Sequence, residues 1–477
     1  MKNLQFKQCH FFKKGPKYFL FVVDTLRLFQ LEQGVYNKIK TLYNQTLGLS
    51  SFEHKRTPLL EELLAEEIVC NSELIKEVKD VIKKEKDRLN EKEKYNDNIY
   101  LTNVVLQVAN DCNLHCKYCY GDGGSYGRKR ELMDFETAQK GIDYLVTHRG
   151  ERKYLRVTFF GGEPLLNFDL IKRVIAYCCQ IEKQEGIKFS YNMTTNGTII
   201  SDEILEYIQK YRFSLLISMD GGKSTQDCYR CYADGKGSFD TILQNLKLFK
   251  KAHHGKLSVR ATVCKPNMDM VSIRKELMNI GFDNVIMSMV DTQNTSFLFL
   301  GDETEAMKKE YSRLADELIK DAKSGNGINN TMFNEILRKL YYKILSIKSC
   351  NAGSTGFAIG SDGNFYPCHR YMGMEDYVCG SVDQGIDLSK TAIYKHANIF
   401  KKDDCKNCWA RYLCGGACSN ICVTQSNDAM KAPTCYCEIY KCIYENALYI
   451  YYELKSWDEN YFRKILEKDK ETVPTIK

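Results

Sequence analysis

Val104-Val-Leu-Gln-Val-Ala-Asn-Asp-Cys112-Asn-Leu-His-Cys116-Lys-Tyr-Cys119 decides the reading of this chain. Its opening residues are apolar and β-branched, which predicts a strand, and the strand empties into a loop carrying three cysteines. Three thiolates spaced Cys-x3-Cys-x2-Cys can hold three corners of a cubane iron–sulfur cluster, with the fourth iron open to a small molecule. A structural zinc site or a four-cysteine cluster leaves nothing open. The competing reading is a zinc loop or incidental thiols. His115 lies between two of the cysteines and would be strained to reach the same metal.

Outward from this loop the chain alternates. Strand-like runs fall at 100–108, 154–160, 187–193, 213–219, 257–264 and 284–290, with amphipathic segments at 135–147, 170–181, 202–211, 239–251 and 270–280. Such βα repeats predict a parallel sheet closed or partly closed into a barrel, with its chemistry at the C-terminal strand ends. Motifs do fall there. Phe160-Gly161-Gly162-Glu163-Pro164 ends the second strand, Thr194-Thr195-Asn196-Gly197 the third, and Ser218-Met219-Asp220-Gly221 the fourth, with Arg230 just beyond. Glycines let a backbone approach a ligand, and a carboxylate pairs with an ammonium. Asn-Gly and Asp-Gly also make turns in any protein, so ligand contact and plain turn formation both stay open at those positions.

Residues 1–95 read as a separate small unit. Runs at 18–23 and 27–31 predict a hairpin pair broken at Asp24, and helical spacing follows at 35–43. A Lys- and Glu-rich stretch at 73–94 reads as a solvated connecting helix. Two helical stretches occupy 302–348, and eleven of the 21 cysteines lie between Cys350 and Cys442. A Tyr-rich helix is expected from Tyr444 to about Leu466.

Composition limits the function classes. The 477 residues are 44% hydrophobic and 27% charged, which fits a soluble globular chain and excludes wholesale disorder. With 68 basic and 61 acidic residues the net charge is +7, so neither a nucleic-acid nor a membrane partner is expected. The apolar run at 18–23 is too short for a signal core, and nothing approaches 18 uninterrupted apolar residues. The expected location is the cytoplasm, where clustered cysteines point to metal rather than to disulfides.

The three-cysteine loop with Tyr118 before its last cysteine, the GGEP turn and the Ser-x-Asp-Gly step together resemble the radical S-adenosylmethionine (SAM) superfamily. The resemblance implies a [4Fe-4S] cluster on Cys112, Cys116 and Cys119, its open iron chelated by the amine and carboxylate of SAM. Reduction then gives a 5′-deoxyadenosyl radical that abstracts a substrate hydrogen. The resemblance further implies that Gly161, Gly162 and Glu163 meet the methionyl amine. Thr195, Asn196, Ser218 and Asp220 would reach the ribose and carboxylate, Arg230 the carboxylate, and Tyr118 the adenine through its backbone.

Downstream, Cys350-x12-Gly363-x4-Cys368, then Cys405-x2-Cys408-x5-Cys414-x3-Cys418, then Cys437, resembles the seven-cysteine SPASM extension of peptide-modifying members. Asp362-Gly363 is a hairpin-turn signal, which would put Cys368 on the return strand. The resemblance implies two auxiliary [4Fe-4S] clusters, three clusters in all. One would use Cys405, Cys408, Cys414 and Cys437, with Cys435 and Cys442 as rivals for the last place. The other would use Cys350, Cys368 and Cys418, with an iron open to a substrate thiolate or closed by an eighth residue such as Cys379. The remaining cysteines read as buried or incidental thiols. Sulfatase-maturating members carry an Asp base after the residue matching Cys368; here His369 and Arg370 follow, and His369 is either a base or a surface residue beside a cluster.

Residues 1–95 resemble the PqqD-like winged helix that binds the leader of a precursor peptide, and the loop at 120–127 resembles those of Cys-rich peptide maturases. The expected architecture is α/β: a recognition domain at 1–95, a partial (β/α)6 barrel at 96–300, a helical bridge at 301–348, a Cys-rich SPASM domain at 349–445 and a C-terminal helix at 446–477. The expected function is thioether formation, Cys sulfur to carbon, in a ribosomally made precursor peptide, with flavodoxin or ferredoxin as electron donor. Carbon–carbon cross-linking, formylglycine formation on sulfatases, an iron–sulfur electron carrier and a zinc-binding interaction protein are the alternatives.

Overall fold

The computed structural model describes residues 4–49, 51–55, 57–71, 100–292 and 294–468. The connecting helix expected at 73–94 lies outside them. At the N-terminus β1 (Leu4–Phe6) is followed by a meander of β2 (Cys9–Lys14), β3 (Lys17–Val22) and β4 (Arg27–Leu31). Helices Gln33–Thr46 and Pro58–Ala65 follow, and β5 (Val69–Asn71) returns antiparallel to β1. The expected hairpin is β3 with β4, joined by a third strand that its lysines and histidine had concealed. β3 reads as continuously apolar because both its faces are covered. Leu20 and Val22 pack on Ile39, Leu60 and Leu63, while Phe19 and Phe21 join the main core.

The main sheet is built from β6 (Asn103–Ala109), β8 (Tyr154–Gly161), β9 (Lys188–Thr195), β10 (Ser214–Ser218), β12 (Ser258–Val263) and β13 (Asn284–Met289), parallel neighbours in chain order. Two short strands, β7 (Leu114–Cys116) and β11 (Arg230–Tyr232), pair with each other outside it. Five helices, Phe135–Thr147, Phe168–Glu185, Asp202–Lys210, Phe239–Ala252 and Met270–Ile280, connect the six strands. Side chains start several of them: Asp134, Ser201 and Asp269 accept from the amides of Thr137, Ile204 and Ser272. All six expected barrel strands are present, each with its bounds within three residues of expectation.

One side of the sheet was not anticipated. β14 (Gly356–Ile359) pairs parallel to β6, and β15 (Phe365–Tyr366) pairs antiparallel to β14. The cysteine-rich region therefore begins as two further strands of the barrel sheet, which brings it against the three-cysteine loop. The Asp362-Gly363 hairpin is present, but β15 ends at Tyr366, so Cys368 follows the return strand instead of lying on it. A single helix, Thr434–Trp457, crosses the boundary expected at 445/446 and packs on helix Asp302–Lys323. It ends at Asp458, whose extended backbone separates it from helix Glu459–Lys468. Among the described residues no helix is long and apolar enough to cross a membrane.

The N-terminal unit docks on the cysteine-rich region and the helix after it through polar and aromatic contacts. Arg411 pairs with Asp24 at 2.7 Å, His10 meets Glu445 at 2.8 Å, and Trp409 stacks on His10 with ring centroids 3.7 Å apart.

Candidate active site

A cavity of about 1070 Å³, its open mouth included, lies at the C-terminal ends of the parallel strands. Cys112, Cys116 and Cys119 line it, together with Tyr118, Gly161, Gly162, Thr195, Asn196, Ser218, Arg230 and His369. Most residues singled out in separate segments of sequence thus share one chamber, because each lies at the end of a neighbouring strand.

Backbone packing fixes the rim. An added Cβ on Gly162 would stand 2.1 Å from the Asp111 carbonyl oxygen and 2.8 Å from the Gly124 Cα. One on Gly124, whose φ is +94°, would meet the Asp111 carbonyl carbon at 2.7 Å and the Cys112 nitrogen at 2.9 Å. Three backbones cross where only glycine fits, and the crossing presents the cysteine loop to the Gly-Gly turn. Gly162→Ala should cost about 3 kcal/mol of stability, as overpacking does at its upper range. It should also sharply lower iron uptake; wild-type urea midpoint and iron content would show that the crossing relaxes.

Two carboxylates expected at the ligand are withheld from the cavity. Glu163 is fully buried and accepts from Asn196 N at 2.7 Å, Thr195 Oγ1 at 2.9 Å and Leu165 N at 3.1 Å. Burial nonetheless pushes its carboxyl up to about 7. It fastens the Thr195–Asn196 turn, which leaves the Gly161–Gly162 backbone, rather than the carboxylate, facing the chamber. Asp220 is also fully buried: it accepts from Thr262 N at 2.9 Å, from Arg230 Nε at 3.0 Å and from the Tyr118 hydroxyl. Arg230 additionally donates to Thr262 Oγ1 at 3.3 Å and points Nη1 at Cys116 Sγ, 3.8 Å away. Asn196 Nδ2 lies 3.7 Å from Cys112 Sγ. These two side chains bracket the cysteine loop.

The thiols fit a cationic group. Burial, followed by the Glu163 charge, pushes Cys112 up to about 12, and burial pushes Cys116 up to about 11 despite the relief from Arg230. Uncompensated thiolates are disfavoured here, and a bound metal centre would supply the compensation. The cavity is lined by three cysteines and no fourth. Among the described residues no three His, Cys, Asp or Glu side chains converge as a single ion requires.

Farther along the wall, His369 packs against Phe160 with ring centroids 4.6 Å apart. Burial, then Arg370 and Arg260, push its imidazole down to about 3, so it is neutral. Arg370 pairs with Asp291 at 2.5 Å. Cys368 and Cys418 lie beside Arg370, and seven of the downstream cysteines fall into two groups. Burial pushes Cys368 up to about 12, with Cys418 and Cys350 adding repulsion, and Cys437 up to about 12, with Cys414, Cys405 and Cys408 adding repulsion. The rivals stand elsewhere. Cys435 is exposed, Cys442 donates to the Lys308 carbonyl at 3.6 Å, and Cys379 donates to the Phe365 carbonyl at 3.3 Å.

Sequence reasoning missed Arg260, Ser288 and Asp291 as lining residues. The signal was present for Arg260, a lone charge at a polar, inward position of an otherwise alternating apolar strand.

A three-thiol loop under glycine backbones lies at the mouth of a parallel α/β sheet. Residues 106–275 match the Radical SAM superfamily, and the chain carries a radical SAM domain. Members of that superfamily are enzymes, and SAM with a [4Fe-4S] cluster is what the family implies. The radical SAM cyclopropyl synthase TigE of Paramaledivibacter caminithermalis is 24% identical over 362 residues, 71% of this chain and 72% of that one. A cysteine-type anaerobic sulfatase-maturating enzyme of Clostridium novyi is 26% identical over 342 residues, 67% of this chain and 87% of that one. The structure of native anSMEcpe with bound AdoMet superposes with a TM-score of 0.65 at 19% identity, covering 75% of this chain and 99% of that one. That of Streptococcus suis SuiB bound to precursor peptide SuiA superposes with a TM-score of 0.50 at 14% identity, covering 89% and 97%. At such identities the two structures speak for the fold alone.

Proposed function

We propose that the chain is a cytoplasmic radical SAM maturase that installs Cys-sulfur-to-carbon thioether cross-links in a ribosomally made precursor peptide. The observation that carries the reading is the continuity of the cavity wall with the Cys350, Cys368 and Cys418 group through His369 and Arg370. A substrate carbon at the three-cysteine loop and a substrate sulfur at that group would stand on either side of the His369–Arg370 wall.

Cys112, Cys116 and Cys119 would hold the cluster that, reduced with SAM bound, supplies a 5′-deoxyadenosyl radical. Asn196, Ser218 and Arg230 would orient the cofactor, and Phe160, Met289 and Val290 would exclude water from the reacting carbon. We assign one auxiliary cluster to Cys405, Cys408, Cys414 and Cys437 and a second to Cys350, Cys368 and Cys418, for three in all. A flavodoxin or ferredoxin is the proposed electron donor. The N-terminal unit would take the leader as an added strand along one edge of its meander, where main-chain hydrogen bonds set the register.

Formylglycine formation is the second reading, favoured by the sulfatase-maturating relative. It needs a proton acceptor, and a buried imidazole pushed down to about 3 beside two guanidiniums accepts a proton poorly. Co-expression with a Cys-rich peptide encoded beside this chain decides between them. The thioether reading expects a product that has lost two hydrogens per link and whose linked cysteines no longer react with iodoacetamide. An aldehyde trapped by hydrazide on a sulfatase peptide, with the Cys-rich peptide unchanged, would overturn it.

A further inference from the structure

Three guanidiniums line the cavity, and two are already paired. Arg230 is committed to Asp220 at 3.0 Å and Arg370 to Asp291 at 2.5 Å. Among the described residues the Arg260 side chain makes no hydrogen bond and no ion pair. It projects from β12, where Val259, Ala261 and Val263 are buried on the helix-covered face and Ser258, Arg260 and Thr262 alternate toward the chamber. Burial first, then Arg370 and Arg230, hold its cation below the usual arginine value. A recessed cation repelled by two others lacks an anion. The cavity lining offers a single carboxylate, Asp291, and Arg370 holds it.

The anion must therefore arrive with a ligand. A planar, forked guanidinium fits a carboxylate with two parallel hydrogen bonds, whereas a thiolate gives it one point of contact. Both SAM and a peptide can bring a carboxylate, and position separates them. Arg230 and Asn196 reach within 3.8 Å and 3.7 Å of the cluster-loop sulfurs. Arg260 stands one pleat deeper than Thr262, to which Arg230 donates, and it adjoins His369 and Arg370 on the wall leading to Cys368.

We propose that Arg260 binds a carboxylate of the substrate, so that the peptide accepted here carries an Asp or Glu beside its reacting carbon. The proposal rests on the peptide-maturase reading. It is tested on the full-length, reconstituted wild-type chain by phenylglyoxal modification of arginines, mapped by mass spectrometry. Arg260 should be modified faster than Arg230 and Arg370. With SAM present, the α-amide of N-acetyl-L-glutamate, whose one carboxylate is on the side chain, should slow its modification about tenfold, the effect of one charge-assisted contact, and the α-amide of N-acetyl-L-glutamine, which has none, should not. Equal protection by SAM alone would assign the carboxylate to SAM and overturn the proposal. Equal reactivity of the three arginines, or no protection by the α-amide of N-acetyl-L-glutamate, would overturn it too. Formation of 5′-deoxyadenosine in the same preparation is scored separately: its absence undoes the radical SAM peptide-maturase reading, while the protection pattern still reports on Arg260.

Discussion

Replacing Cys112, Cys116 and Cys119 together by alanine should lower 5′-deoxyadenosine formation to background. Iron should fall from about twelve to about eight atoms per chain, one four-iron cluster of three. The size of the effect follows from the site. The cavity contains three cysteines, so no spare thiol can take over a lost corner. Cys231 is near in sequence to Arg230, but its thiol lies 3.7 Å from the His115 carbonyl on the β7–β11 pair and does not line the cavity. None of the seven downstream cysteines lines the cavity, so iron held by them should survive. Anaerobic reconstitution, iron and sulfide counting, and chromatography after dithionite and SAM check both numbers. Retention of about twelve irons by the triple variant would move the cluster elsewhere. About four irons in the wild type, with full SAM cleavage, would leave the first cluster and remove the auxiliary pair.

The barrel was legible because its strands alternate a buried, helix-covered face with a half-buried face toward the chamber and are bounded by Gly, Asn and Asp, a pattern that period and punctuation reveal. β2 was hidden by His10, Lys13 and Lys14, which read as polar although Phe12 is buried among the barrel core and Phe11 packs on the N-terminal cluster. β14 and β15, four and two residues long, are too short for any periodicity, and only β6 gives them a register. Cysteine spacing delivered the grouping of thiols but not that helix Thr434–Trp457 carries Cys437 in its first turn and continues past 446. Glu163 and Asp220 show a different limit. A carboxylate after Gly-Gly or before Gly reads the same whether it faces a ligand or fastens a neighbouring turn. Only the hydrogen-bond partners, Asn196 N for one and Thr262 N for the other, tell which.

Asp220→Ala should cost about 3–5 kcal/mol of stability, the range for breaking a buried ion pair by removing one partner. Asp220 is fully buried, and the Arg230 side chain is 11% exposed. Without the carboxylate, a guanidinium remains in a chamber that already contains Arg260 and Arg370, while the Tyr118 hydroxyl and the Thr262 amide lose their acceptor. The residue joins the end of β10, the start of β11, β12 and the cysteine loop, so its loss loosens the site as well as the fold. Asp220→Asn should cost less, because its amide oxygen can still accept from Thr262 N, although its amide nitrogen cannot accept from Arg230. Removing both charges in Asp220→Ala/Arg230→Met should recover part of the loss, since no cation is then left unpaired. Urea unfolding of the wild type, Asp220→Ala, Arg230→Met and the double variant measures the coupling directly, with Asp220→Asn run beside them. A single-variant loss below about 1 kcal/mol, typical of a solvated pair, or strict additivity in the double variant, would mean that Asp220 does not hold Arg230 in place.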